Sequence, residues 1–271
     1  GQVWKRQLGN KMRISAIVLT KNSEGLVADC LASINWTDEI VVVDDNSSDK
    51  TREIAKETGG RVFTFSGDFS EKRNFGAKKA TGDWLLYIDA DERVTPLLRK
   101  EIQKAIESSQ EIPAYAIPRR NFVFGKELKY CGFWPDYVKR LFKKDKFRGW
   151  TGELHEEPNF EVDGKVFTGG KGKIGHLERP LTHLKHNNLS EMVAKTNEWS
   201  EIEAKLMHEA NHPPMNLSRF STAMFREFWL RMIKQKAFLD GTVGIIYAVY
   251  QVYSRFISYA KLWEMQIKEK R

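Results

Sequence analysis

The chain has 271 residues, with 44 Lys/Arg against 36 Asp/Glu for a net charge of +8, and is 41% hydrophobic and 30% charged. Such a chain can bury a sizeable core, as one large domain or a domain with an appendage, and its balance excludes a disordered protein. Its two cysteines, Cys30 and Cys131, lie far apart and outside any metal-ligand spacing, which excludes a disulfide framework and makes a reducing compartment the default.

The opening GQVWKRQLGNK lacks the apolar stretch of a signal peptide, and MRISAIVLT reads as a natural start at Met12; residues 1–11 are expected to be a cloning remnant. From Arg13 to Arg119 short apolar runs alternate with amphipathic stretches. RISAIVLT, EIVVVDD, RVFTF and WLLYID predict four strands. Between them GLVADCLASI, SSDKTREIAKETG and SEKRNFGAKKATG predict helices, and TPLLRKEIQKAIESS a fourth, with Thr95 and Pro96 at its cap and first position. Strands alternating with helices define an α/β class with a Rossmann-like, mostly parallel sheet covered on both faces. Arg119 to Gly175 breaks this rhythm with Gly, aromatics and short strand-like pieces. Pro180 to His212 reads as a loop and one helix, and Leu217 to Lys268 as two aromatic-rich helical stretches. The expected organisation is an α/β domain over 12–212 and a basic helical extension over 213–271.

In an open parallel sheet, ligands bind beyond the carboxyl ends of the strands. Three such ends are polar here: LTKN, VDDNSSD and YIDADE. No Gly-x-Gly-x-x-Gly follows the first strand, so a dinucleotide site of the Rossmann type is excluded. Asp44 and Asp45 can accept hydrogen bonds from a base or ribose. Clustering Asp89, Asp91 and Glu92 costs mutual repulsion, tolerated where a cation or proton sits among them. Asp89 and Asp91, one residue apart, suit a hard divalent ion such as Mn²⁺ or Mg²⁺ whose other ligands are water and phosphate oxygens.

SAIVLTKN, EIVVVDDNSSDKT, KRNFGAKKATGDWLLYIDADE, VKRLFKK and GELHEEP together resemble family-2 glycosyltransferases with the GT-A fold. Within that family the likeness is to the bacterial branch that adds sugars in lipopolysaccharide core assembly, including heptose β-glucosyltransferases. It is specific from Ile14 to Arg119 and looser to Arg271. The resemblance implies transfer from a nucleotide-sugar, a UDP-sugar by the Asp44 match, to a hydroxyl of a membrane-associated glycan with inversion at the anomeric carbon. It implies that Thr20 and Asn22 line the nucleotide pocket, that Asp44 meets the uracil ring with Asp45 beside it, and that Lys72, Arg73 and Asn74 face the nucleotide sugar. Asp89 would serve both nucleotide and metal, and Asp91 would be the direct metal ligand. His183 would complete the metal shell or touch the diphosphate. The family's His-Glu pair matches His155 and Glu156, which makes Glu156 the expected general base, with Glu153 the alternative.

Three other readings compete. A sugar-nucleotide nucleotidyltransferase would need a Gly-rich, Lys/Arg-bearing loop after the first strand, which LTKNSEG lacks. HEANH, His208 to His212, matches a zinc-protease pattern, but Pro213 and Pro214 end any helix where the second histidine must be held. A non-catalytic membrane-binding module would make the acidic cluster incidental.

From Pro213 to Arg271 there are ten Lys/Arg against four Asp/Glu, and the uncharged stretch Gly241 to Ser254 falls short of the ~20 residues that span a bilayer. Aromatics beside cations suit an anionic membrane interface, which points to a peripheral protein at the cytoplasmic face of the cell membrane; a subunit contact in an oligomer is the alternative. Nucleic acid is not expected as a partner, because no recognised motif accompanies the charge.

Overall fold

The computed structural model describes residues 12–108, 111–152, 156–169 and 174–268. The expected remnant (1–11), Glu153 and His155 lie outside these residues. In chain order the strands and helices are β1 (Ile14–Thr20), α1 (Val27–Ile34), β2 (Glu39–Asp44), α2 (Thr51–Glu57), β3 (Arg61–Thr64), α3 (Phe69–Lys79), β4 (Trp84–Asp89), β5 (Glu92–Arg93) and α4 (Pro96–Ser108). They continue as β6 (Ala114–Val123), β7 (Lys126–Leu128), β8 (Asp136–Lys143), β9 (Phe147–Thr151), β10 (Glu157–Val162), β11 (Lys165–Thr168), β12 (Gly175–His176), β13 (Leu181–His186), α5 (Leu189–Glu209), α6 (Leu217–Phe228) and α7 (Gly241–Lys268). The chain forms two compact units, one of residues up to 117 with 137–181, the other of 118–136 with 182–271.

In the first unit β3, β2, β1 and β4 lie side by side, all parallel, and β8 adds antiparallel to β4. The β-branched runs build this sheet because alternate residues serve opposite faces. Ala16, Val18 and Val42 join one apolar cluster with Leu31, Ile34, Leu98 and Ile102 of α1 and α4, while Ile17, Val41 and Val43 join a second with Tyr87 and Phe142. Each buried Val, Leu, Ile or Phe among them contributes about 1.5–3 kcal/mol by leaving water. The mostly parallel α/β sheet and its flanking helices match the expectation from sequence. Register decides what the sheet presents: Thr20 pairs with Asp44 across β1 and β2, and Leu19 with Asp89 across β1 and β4. The three polar strand ends therefore lie at one edge of the sheet.

α3 begins with a capping box in which Asp68 accepts from the Glu71 backbone N–H and the Glu71 carboxylate accepts from that of Asp68. Gly76 lets this helix press on the sheet, since a Cβ there would come within 2.5 Å of Ile17 Cγ2. β11, β10 and β9 form a separate antiparallel sheet.

In the second unit β6 and β7 make a hairpin whose turn residues, Phe124 and Gly125, both have positive φ, the backbone that a two-residue hairpin turn requires. α5 and α6 each pack on the 28-residue α7. The loop expected after Pro180 is partly a strand, β13, which precedes α5. α5 packs on α7, and the contacts group residues 182–212 with the C-terminal helices. Between α6 and α7 the chain passes through a π-helical stretch, Trp229–Lys234, and a 3₁₀ turn, Ala237–Asp240. Among the described residues no helix is long and apolar enough to cross a membrane.

Candidate active site

The end of β2 holds the first cluster. Asp44 is fully buried and accepts from Thr20 Oγ1 at 3.0 Å, from the Ser47 N–H at 2.9 Å and from Ser47 Oγ. Both its oxygens are thus engaged by protein, and its role in this arrangement is to hold the β1 and β2 loops together. Asn22, with φ 45°, continues the stitching: its N–H donates to Ser47 Oγ at 2.9 Å and its Oδ1 accepts from the Ser48 N–H at 2.9 Å. Asp45 is the carboxylate of the pair that retains exposure. Burial opposes its ionisation, but Lys72 at 3.0 Å, Ser66 and Lys21 outweigh that and hold it below the ordinary carboxylate range.

The second cluster centres on two arginines. Arg73 of α3 is buried; its Nε donates to Glu156 Oε1 at 3.0 Å and its Nη2 to Asp89 Oδ1 at 3.1 Å. Its guanidinium carbon lies 5.0 Å from the ring centre of Trp150 and 5.7 Å from that of Tyr87, cation–π contacts worth up to about 2 kcal/mol where water is excluded. Arg140 of β8, also buried, donates through Nη2 to Asp89 Oδ2 and to Glu92 Oε1, the latter at 2.8 Å. Glu92 is fully buried and also accepts the Asp89 N–H at 3.0 Å. Burial alone would lower the pKa of Arg140, but Asp89 and Glu92 raise it above its ordinary value. Arg73 Nη1 and Arg140 Nε are buried without a hydrogen-bond acceptor. Unmet donors of this kind cost about 1–3 kcal/mol and call for an explanation.

Thr20, Asn22, Asp44, Asp45 and Lys72 thus form one connected group, and Arg73, Asp89 and Glu156 another. Asn74 does different work: its Nδ2 donates to the Trp150 carbonyl at 2.9 Å and its Oδ1 accepts the Trp150 N–H at 2.7 Å, fastening α3 to β9. Trp150 packs in the core, whereas Trp134 and Tyr137 are exposed. His183 lies in the second unit, buried, with Nδ1 2.6 Å from Asn121 Oδ1. In the same unit α5 ends at Glu209 and His212 lies beyond it, its Nδ1 2.9 Å from the Pro213 carbonyl, so HEANH does not place two histidines on one helix.

Among the described residues no group of three or more His, Cys, Asp or Glu is placed to hold a metal. Both Asp89 oxygens accept from arginines, Oδ1 from Arg73 and Oδ2 from Arg140, so a hard divalent ion completed by phosphate oxygens would be held here chiefly through Asp91.

Sequence reasoning did not assign Arg140 or Glu92 to the site. Their signals were present: a lone arginine preceding the apolar pair Leu141 and Phe142 in VKRLFKK, and a third carboxylate in YIDADE, each too polar for its buried setting unless paired.

Acidic and basic side chains thus converge at the carboxyl ends of β1, β2 and β4, where ligands bind in open parallel sheets. Residues 15–159 match the glycosyl transferase family 2 profile, and the chain belongs to that family. It is similar to an uncharacterized glycosyltransferase of Rickettsia typhi, 29% identical over 95% of this chain and 89% of that one. It is also similar to the lipopolysaccharide core biosynthesis glycosyltransferase LpsC of Rhizobium meliloti, 25% identical over 94% and 93%. Among solved structures, glucosyl-3-phosphoglycerate synthase of Mycobacterium tuberculosis, in a complex with Mn²⁺, UDP and glucosyl-3-phosphoglycerate, aligns with 49% of this chain and 57% of its own at 18% identity and a TM-score of 0.39.

Proposed function

We propose that this glycosyltransferase moves a sugar from a UDP-sugar to a hydroxyl of a membrane-associated glycan of the lipopolysaccharide core type, with inversion at the anomeric carbon. The observation that carries the reading is the convergence of Asp89 and Glu156 on Arg73, beside the Asp45–Lys72 pair. The name of the Rhizobium relative supports the choice of acceptor.

In this reading the β1 and β2 loops, tied by Asp44, Ser47 and Asn22, cradle the nucleoside, and Asp45 presents its carboxylate to the ribose or base. Arg73 and Arg140 supply fixed positive charge where the diphosphate departs. Such preorganised charge in a site that excludes water is worth more than in solution. Glu156, oriented by the Arg73 Nε, accepts the proton of the attacking acceptor hydroxyl, a step that contributes typically about 10²–10⁴ in rate. Asp91, with Asp89 beside it, would hold a divalent ion such as Mn²⁺ or Mg²⁺, which would supply neutralisation of the charge on the departing diphosphate.

Incubating the protein with a panel of UDP- and GDP-sugars and bacterial core glycan tests this reading. Sugar transfer with release of UDP is the expected result; transfer from GDP-sugars alone would reassign the donor.

A further inference from the structure

The segment from Phe225 to Leu239 leaves most of its large apolar side chains exposed. The π-helical stretch WLRMIK buries none of its residues. Phe225 is 67% exposed, Trp229 53%, Phe238 47% and Leu239 51%, and Phe228 and Ile233 are exposed as well. Phe225, Phe228 and Trp229 fall at i, i+3 and i+4 and so share one face of their helix, where the Phe225 and Trp229 rings stack with centroids 6.2 Å apart. An exposed aromatic patch of this kind, with polar side chains around it, marks an interaction site. Arg226, Lys234 and Lys236 are exposed among these rings.

The charge selects the occupant. An isologous contact between two copies would bring the same cations face to face, since residues near the axis meet their own equivalents. An anionic lipid surface instead neutralises them, at about 1 kcal/mol per Lys or Arg near the headgroups, while the rings enter the interface. No helix among the described residues can span a bilayer, so the segment would lie on the membrane and not cross it.

We infer that the aromatic face of Phe225, Phe228 and Trp229, with the exposed Ile233, Phe238 and Leu239 and the cations Arg226, Lys234 and Lys236 of the same segment, docks the enzyme on anionic membrane. The inference stands on the second unit alone and needs no assumption about donor or acceptor.

The test is flotation of the full-length protein with vesicles of phosphatidylcholine alone or mixed with phosphatidylglycerol. The protein should float with the mixed vesicles and not with the neutral ones, and moderate salt should weaken the association. Phe225→Ser/Trp229→Ser and, separately, Lys234→Glu/Lys236→Glu should each lower the bound fraction at least tenfold. The second pair alters only exposed polar positions, so it remains informative if the first disturbs folding. Equal flotation of the charge variant, or no flotation of the unaltered protein, overturns the inference. So does a fall in oligomer mass in the variants without lipid, which would assign the face to a second copy. UDP binding is measured on the same preparations, so loss of docking and loss of the donor site are read separately.

Discussion

Glu156 and Asp89, distant in sequence, are held on one guanidinium: Arg73 Nε reaches the first at 3.0 Å and Nη2 the second at 3.1 Å. Only a planar fork with several donors can serve two carboxylates in this way, and a lysine ammonium on a flexible stem cannot reproduce it. Arg73→Lys is therefore expected to lower kcat/KM on the order of 10²-fold, about 2.7 kcal/mol of transition-state stabilisation. Steady-state kinetics with circular dichroism checks this; a change below threefold in a folded variant would remove Arg73 from the site.

Glu156→Gln keeps the shape of the side chain and its contact with Arg73 while removing its basicity. UDP affinity should stay within about twofold, and turnover should fall by roughly 10²–10⁴. Near-normal turnover would exclude Glu156 as the base and direct attention to Glu153.

Arg140 and Glu92 form a buried ion pair at 2.8 Å. Removing one partner leaves the other as an uncompensated charge, which typically costs about 3–5 kcal/mol, whereas removing both is far milder. Arg140→Met should thus lower the urea midpoint sharply, and adding Glu92→Gln should restore much of it. If the single variant unfolds like the parent, the pair is not structural.

Glu39 provides a pH signature. Burial alone would raise its pKa, but hydrogen bonds from Ser15, Thr81 and Arg61 hold it down to about 2, from 4.5. A carboxyl lowered on folding stabilises the protein above its unfolded pKa and loses that contribution as pH falls through its folded pKa. The loss therefore falls mainly between about pH 5 and pH 2 and amounts to up to about 3 kcal/mol. Urea unfolding across that range should show the parent losing stability that Glu39→Gln already lacks at pH 7; parallel profiles would contradict the assignment.

Much of the fold was legible because its determinants are local. SAIVLT, IVVV and WLLYI are β-branched or apolar runs of strand length, and of the helices between them α1 carries apolar spacing and α3 a capping box that single stretches reveal. The LTHLKH strand was read as a loop because its alternation is short and follows Pro180, and pairing partners distant in sequence decide its state. At the site, residue types single out the ends of β1, β2 and β4, but burial and orientation are tertiary properties. Asp44 and Asp45 are adjacent in sequence, yet only Asp45 keeps an open side. Asn74 was grouped with Lys72 and Arg73, but its position on α3 turns its amide onto the Trp150 backbone. Arg140 was hidden for the same reason, since only the pairing of β8 with β4 brings it to Asp89.

The central claim, a nucleotide-diphosphate site built by the β1, β2 and β4 ends with α3, is tested most directly by calorimetric titration of UDP. The titration is run with and without Mn²⁺, on the parent and on Asp91→Asn. Binding that requires Mn²⁺ and weakens at least tenfold in the variant is the expected result. Absence of UDP binding by the folded parent, or binding indifferent to both the ion and Asp91, would contradict the account.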